Sequence, residues 1–180
     1  MRILQEDTIG LVVDIQERLF PVMAGKEELL KNCRILIEGL QVLKVPVLFT
    51  QQYTRGLGET IPEIKEIAEK FDFIEKRAFS CWDEPVFKEK LKTTGKQNIV
   101  ICGIESHVCV LQTAVDLREA GFNPVVVMDC ITSRELKSRE IATLRYLSEG
   151  IRMATCESIL FELTRTSESP EFREISRHVK

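Results

Sequence analysis

The chain has 180 residues, enough to bury a sizeable core, so neither disulfides nor a structural metal is required for stability. Its composition, 44% hydrophobic and 29% charged, is that of an ordinary globular protein and is read as one domain spanning residues 1–180. A net charge of -3 lacks the basic footprint of bulk nucleic-acid binding, and no apolar run approaches the roughly 18 residues of a membrane span.

The first residues carry acids at Glu6 and Asp7 and no apolar stretch of signal-peptide length. A cytoplasmic protein is therefore expected. The six cysteines (Cys33, Cys81, Cys102, Cys109, Cys130 and Cys156) are read as reduced thiols on the same ground. There is no Cys-x-x-Cys spacing and there are only two histidines, so no metal site of ordinary ligand spacing is expected, and no cofactor.

Short β-branched runs recur along the chain. The first is Thr8-Ile9-Gly10-Leu11-Val12-Val13, ending at Asp14. Before the second, Leu29, Cys33, Leu36, Ile37, Leu40 and Leu43 recur at steps of three or four and form one helical stripe. Pro46-Val47-Leu48-Phe49-Thr50 ends at Gln51 and Gln52, and Asp72-Phe73-Ile74-Glu75 ends at Glu75 and Lys76. Val86 and Leu91 suggest a short surface helix with Asp83 as N-cap and Pro85 in its first turn.

Asn98-Ile99-Val100-Ile101-Cys102 leads through Gly103 to Cys109 and a helix apolar around most of its girth at Leu111, Ala114, Val115 and Leu117, stopping near Gly121. Pro124-Val125-Val126-Val127-Met128 closes on Asp129. Ile141, Leu144 and Leu147 mark a further helix ended by Gly150. A last short run at Ile151-Arg152-Met153 and a terminal helix over about 171–178 complete the chain. Continuous apolar runs alternating with helices predict an α/β fold: a three-layer α/β/α sandwich around a mostly parallel, doubly wound, Rossmann-like sheet.

In such sheets the site lies beyond the carboxyl ends of the strands, so the residues that follow each run are the candidates. Asp14 is either a general acid/base or a loop cap. Cys109 stands apart from the other cysteines because it opens a helix, where free N–H groups stabilise a thiolate or an oxyanion. Cys102 lies within a strand and Cys33 on a core stripe, and both read as packing groups. His107, two residues from Cys109, would point another way and is not taken as the base.

These residues resemble the isochorismatase-like hydrolases, the superfamily that includes nicotinamidases and N-carbamoylsarcosine amidohydrolases. The resemblance covers residues 8–159. It rests on Val13-Asp14-Ile15-Gln16 with Phe20, on Lys76-Arg77-Ala78-Phe79-Ser80, and on Gly103-Ile104-Glu105-Ser106-His107-Val108-Cys109. Gln52-Tyr53-Thr54-Arg55-Gly56-Leu57-Gly58 and residues 103–113 look especially like the isochorismatase domain-containing subgroup.

The resemblance implies a triad of Asp14, Lys76 and Cys109. It also implies a cis peptide between Ile104 and Glu105 and an oxyanion hole from the N–H groups of Glu105 and Cys109. The Asp-x-His metal motif of nicotinamidases is replaced by Gln51-Gln52-Tyr53, which argues against nicotinamidase activity. A cysteine at 109 favours acyl chemistry over the vinyl-ether cleavage of true isochorismatases.

The expected activity is hydrolysis of a small-molecule amide or related acyl bond. Lys76 and the helix end would lower the thiol pKa and Asp14 would accept its proton. Phe20, Tyr53, Phe79 and Trp82 are expected to line the substrate pocket or, alternatively, to pack in the core, with Trp82 read as partly exposed at the pocket or a subunit contact. The alternatives are hydrolysis of a vinyl ether or phosphodiester by the Asp14–Lys76 pair, and a non-catalytic scaffold. The family resemblance also implies a homo-oligomer.

Overall fold

The computed structural model describes residues 2–180. Alternate residues of the central strands feed two separate cores, as strands covered on both faces must. On β1 (Thr8–Val13), Ile9, Leu11 and Val13 enter one core while Val12 enters the other. The remaining strands are β2 (Val47–Gln52), β3 (Phe73–Lys76), β4 (Asn98–Ile104), β5 (Asn123–Thr132) and β6 (Arg152–Ala154). All pair in parallel in the order β3-β2-β1-β4-β5-β6, an all-parallel version of the predicted sandwich.

One layer of helices contains α1 (Lys26–Val42), with the short α2 (Thr54–Leu57) and α3 (Pro62–Lys65) following β2. The opposite layer holds α4 (Pro85–Thr94), α5 (Cys109–Glu119) and α6 (Leu136–Ser148). The chain then returns to the α1 side with α7 (Cys156–Thr164) and α8 (Phe172–His178). No helix among the described residues is long and apolar enough to cross a membrane.

Two local expectations are corrected, and a third gains its orientation. Glu84, not Asp83, occupies the cap position of α4, because Asp83 is taken up in a single 3-10 turn at Cys81–Asp83. Asp129 lies inside β5 rather than at its end, and its Oδ1 accepts the Cys156 N–H at 2.8 Å, holding the start of α7. The helix around Ile141, Leu144 and Leu147 forms, but this stripe faces outward, and Ala142 and Tyr146 carry the packing.

The exits of β1 and β4 approach unusually closely. Gly103 pairs with Val13 and has φ of 122°; a Cβ there would lie 2.1 Å from the Val13 carbonyl oxygen. Only glycine permits this approach, and it brings Asp14 beside the turn that leads to Cys109. Gly121 also has a positive φ, 90°, but open space around it. Gly121→Ala is therefore expected to lose roughly 1–2 kcal/mol, from backbone strain alone. Gly103→Ala should lose more than about 4 kcal/mol, because β1 and β4 must part. Urea denaturation of the two variants checks this, and equal losses would refute the steric account.

Candidate active site

Asp14 is the first residue beyond β1, with φ of 51° and a fully buried side chain. Its Oδ1 accepts a hydrogen bond from Thr50 Oγ1, on neighbouring β2, at 2.8 Å. Its Oδ2 lies 2.7 Å from the ammonium of Lys76, the last residue of β3, which is equally buried. Lys76 Nζ donates to Gln52 Oε1 at 2.6 Å and to the carbonyls of Phe79 and Ala78 at 3.0 and 3.2 Å.

These three neutral acceptors match the three protons of an ammonium. Asp14 Oδ2 has no well-directed hydrogen bond despite the short ionic contact, so its lone pairs remain available to another donor. The Cys109 thiol lies close enough to this carboxylate for the Asp14 charge to raise its pKa.

Cys109 opens α5, and the residue before it supplies no side-chain cap. The peptide bond between Ile104 and Glu105 is cis. Neither the Glu105 N–H nor the Cys109 N–H has an acceptor among the described residues. The intervening turn is tied to the end of β5. Glu105 Oε2 accepts from the Arg134 N–H at 2.9 Å and Nε at 3.2 Å, and the Ser106 N–H donates to the Thr132 carbonyl at 2.8 Å. Ser106 Oγ and Ser133 Oγ are 2.6 Å apart, and the buried Tyr146 hydroxyl donates to the Ser106 carbonyl. His107 Nδ1 bonds Ser133 Oγ at 2.8 Å, so its ring serves this network.

The electrostatics revise the expected thiolate. Burial raises the Cys109 pKa, the Asp14 charge raises it further, and Lys76 pulls the other way; the thiol is pushed from 9.0 up to about 12. Cys109 is a neutral thiol at pH 7, because desolvation outweighs the cation. At Lys76 burial opposes the charge, but the Asp14 carboxylate, joined by Cys81 and Cys109 once they ionise, outweighs it and raises the ammonium above its ordinary range.

Several contributors escaped sequence reasoning. Thr50 orients Asp14, and the buried Cys81 thiol lies 3.9 Å from Thr50 Oγ1, with burial the main cause of its pKa rising to about 11. Gln16, fully buried, donates to the carbonyls of Gln52 and Gly58 and accepts the Gln52 N–H, which fastens the loop after β1 to β2. Thr50 had only its polarity near a strand end as a signal, Cys81 had none, and Gln16 stood in the first motif without a role.

Of the four aromatic candidates, Tyr53 and Phe79 stand exposed at the carboxyl edge, with the Arg77 guanidinium 4.0 Å above the Tyr53 ring. Phe20 packs against the α1-side core. Trp82 is half-buried, with its indole centroid 5.3 Å from that of Phe122.

Among the described residues no group of three or more His, Cys, Asp or Glu side chains could hold a metal ion. Cavities of about 970 and 810 Å³ open elsewhere, and neither is lined by Asp14, Lys76 or Cys109. Of the three groups, the Asp14 and Lys76 side chains are fully buried and Cys109 is 7% exposed.

The raised thiol fixes an alkaline prediction. The unfolded thiol releases its proton near 9.0 and the folded one only near about 12, so the unfolded state binds fewer protons between those values. Stability should fall as pH rises from about 9 toward 12, and Cys109→Ala should flatten part of that fall. Unfolding free energies of both proteins from pH 7.5 to 11, at roughly half-unit steps, test this; superimposable profiles would contradict the raised value.

Comparison with known proteins agrees with this architecture. The isochorismatase domain family model matches residues 8–158. Isochorismatase domain-containing protein 2A of Mus musculus is 34% identical over 99% of this chain and 85% of its own length. The MAR1 ribonuclease of Caenorhabditis elegans superposes with a TM-score of 0.93 at 34% identity, covering 99% of this chain and 92% of that one. YcaC from Pseudomonas aeruginosa, solved with hexane-2,5-diol and covalent acrylamide, superposes with a TM-score of 0.91 at 26% identity over 98% of this chain and 91% of that one. With that domain spanning nearly the whole chain on this fold, the protein belongs to the isochorismatase-domain family of hydrolases.

Proposed function

We propose that the protein hydrolyses a small amide or related acyl compound through a thioester on Cys109, with Asp14 as acid and base and Lys76 as its electrostatic partner. The observation that carries this reading is the meeting of thiol, carboxylate and ammonium beside two N–H groups that have no acceptor among the described residues. The covalent acrylamide on the Pseudomonas YcaC adds support, since acrylamide adds to nucleophiles.

Because the resting thiol is neutral, attack and deprotonation are concerted. The Cys109 proton passes to Asp14 Oδ2 as sulfur bonds the carbonyl carbon. The Glu105 and Cys109 N–H groups hold the oxyanion. Collapse expels the amine, which takes the proton from Asp14 and leaves a thioester. Asp14 then takes a proton from water as the hydroxide attacks, and returns it to the departing sulfur, releasing the carboxylic acid. Lys76, 2.7 Å from Asp14 Oδ2, is the electrostatic partner of the carboxylate throughout. The burial of all three groups restricts the substrate to a small molecule.

A second reading comes from the ribonuclease relative: phosphodiester cleavage by Asp14 and Lys76 without the cysteine. The full burial of that pair weighs against it, because a polynucleotide backbone could not reach either side chain. A panel pairing ammonia or amine release from small amides with cleavage of an RNA oligonucleotide separates the two. The native protein should turn over a small amide, and Cys109→Ala should lose at least about a thousandfold in turnover with its fold intact. RNA cleavage that survives Cys109→Ala, with no amide turnover, would replace this proposal by the second reading.

A further inference from the structure

We propose that Tyr146 is a positioning residue for the reaction: its hydroxyl, acting through Ser106, keeps the Glu105 and Cys109 N–H groups aimed at one point. The inference rests on the thioester reading above. Its carrying observation is that every polar group of the fully buried Ser106 is held. The Ser106 N–H donates to the Thr132 carbonyl at 2.8 Å, its Oγ lies 2.6 Å from Ser133 Oγ, and its carbonyl accepts from the Tyr146 hydroxyl.

What Ser106 fixes is the turn on either side of it. Glu105 comes just before and Cys109 opens the helix just after, and theirs are the two N–H groups without an acceptor among the described residues. The Glu105 carbonyl accepts the Val108 and Val110 N–H groups at 3.1 and 3.2 Å, which closes the turn on itself. A shift at Ser106 is therefore passed to both ends. The ties outward run to Thr132, Ser133 and Arg134 behind β5, and to Tyr146 on α6.

Packing alone does not call for the hydroxyl. Tyr146 is the largest fully buried side chain, and its ring joins Ala142 in the core beneath α6. A phenylalanine ring would fill that space with no hydroxyl to desolvate. Among the described residues the hydroxyl has one partner, the Ser106 carbonyl, and burial raises its pKa, so it remains a donor across the working pH range. Without it the Ser106 carbonyl is a buried acceptor left unmet, and the turn must move to find water or another donor. Oxyanion stabilisation depends on where its donors point, so a shift of an ångström or less is felt in catalysis before it is felt in the fold.

On an amide that the native protein turns over, Tyr146→Phe is expected to lose roughly ten- to a hundredfold in kcat, with KM within about twofold. Ala142→Gly, which loosens the same helix face without touching the turn, should keep the native kcat. Acetaldehyde gives a readout apart from turnover. The Cys109 sulfur bonds the aldehyde carbon, the thiol proton passes to Asp14, and the aldehyde oxygen becomes the oxyanion that the two N–H groups hold. Protection of Cys109 from iodoacetamide, followed by peptide mass spectrometry, should need about tenfold more acetaldehyde in Tyr146→Phe than in the native protein. Should Tyr146→Phe fail to fold, Ser133→Ala, which removes the partner of Ser106 Oγ, is expected to show the same two losses. Unchanged kcat or unchanged aldehyde protection in the folded variant, or an equal loss of kcat in Ala142→Gly, overturns this proposal alone. A native protein that neither turns over an amide nor captures acetaldehyde overturns the thioester reading, and this proposal with it.

Discussion

The buried pair of Asp14 and Lys76 is the constraint around which the carboxyl edge of the sheet is arranged. Both side chains are fully excluded from solvent and stand 2.7 Å apart. A single buried charge is very costly, and even a pair is stable only when its remaining protons and lone pairs are met. Thr50 supplies the proton for Asp14 Oδ1, while Gln52 and the carbonyls of Ala78 and Phe79 take those of Lys76. These groups come from β2 and the loop after β3, so the adjacency β3-β2-β1 is what assembles the pair. Removing either charge would strand the other.

The thiol enters this arrangement from the other side, on the β4–α5 connection. Glycine at 103 allows β4 to close on β1, and the turn that follows is nailed to β5 and α6 by Glu105, Ser106 and Tyr146. The same burial that fixes the geometry holds Cys109 protonated. On the proposed mechanism, reactivity is gated by Asp14 rather than by a standing thiolate, the nucleophile forming as a carbonyl carbon arrives. A protonated thiol is also less prone to oxidation than a thiolate, which suits a cysteine facing solvent at one point.

The alternation of apolar runs and helical stripes was enough to read the parallel sandwich, because burial on both faces leaves continuous runs such as Ile99-Val100-Ile101. Asp14, Lys76 and Cys109 were legible because strand ends are where such sheets carry chemistry, and because three short motifs fall there in order. What remained hidden depends on three-dimensional facts that spacing does not encode. Periodicity showed that the helix of Ile141, Leu144 and Leu147 is amphipathic but not that Tyr146 faces the core. Trp82 stood beside a motif, but nothing in its spacing showed that its indole meets Phe122. The direction of the Cys109 shift followed from desolvation, which no residue pattern displays.

The central claim is that a neutral Cys109 becomes nucleophilic through Asp14. Acrylamide treatment at pH 7 followed by peptide mass spectrometry tests it most directly. The account predicts selective addition at Cys109 over the other five cysteines, lost in Asp14→Asn although the thiol remains. Equal modification of several cysteines, or undiminished addition at Cys109 in Asp14→Asn, would contradict it.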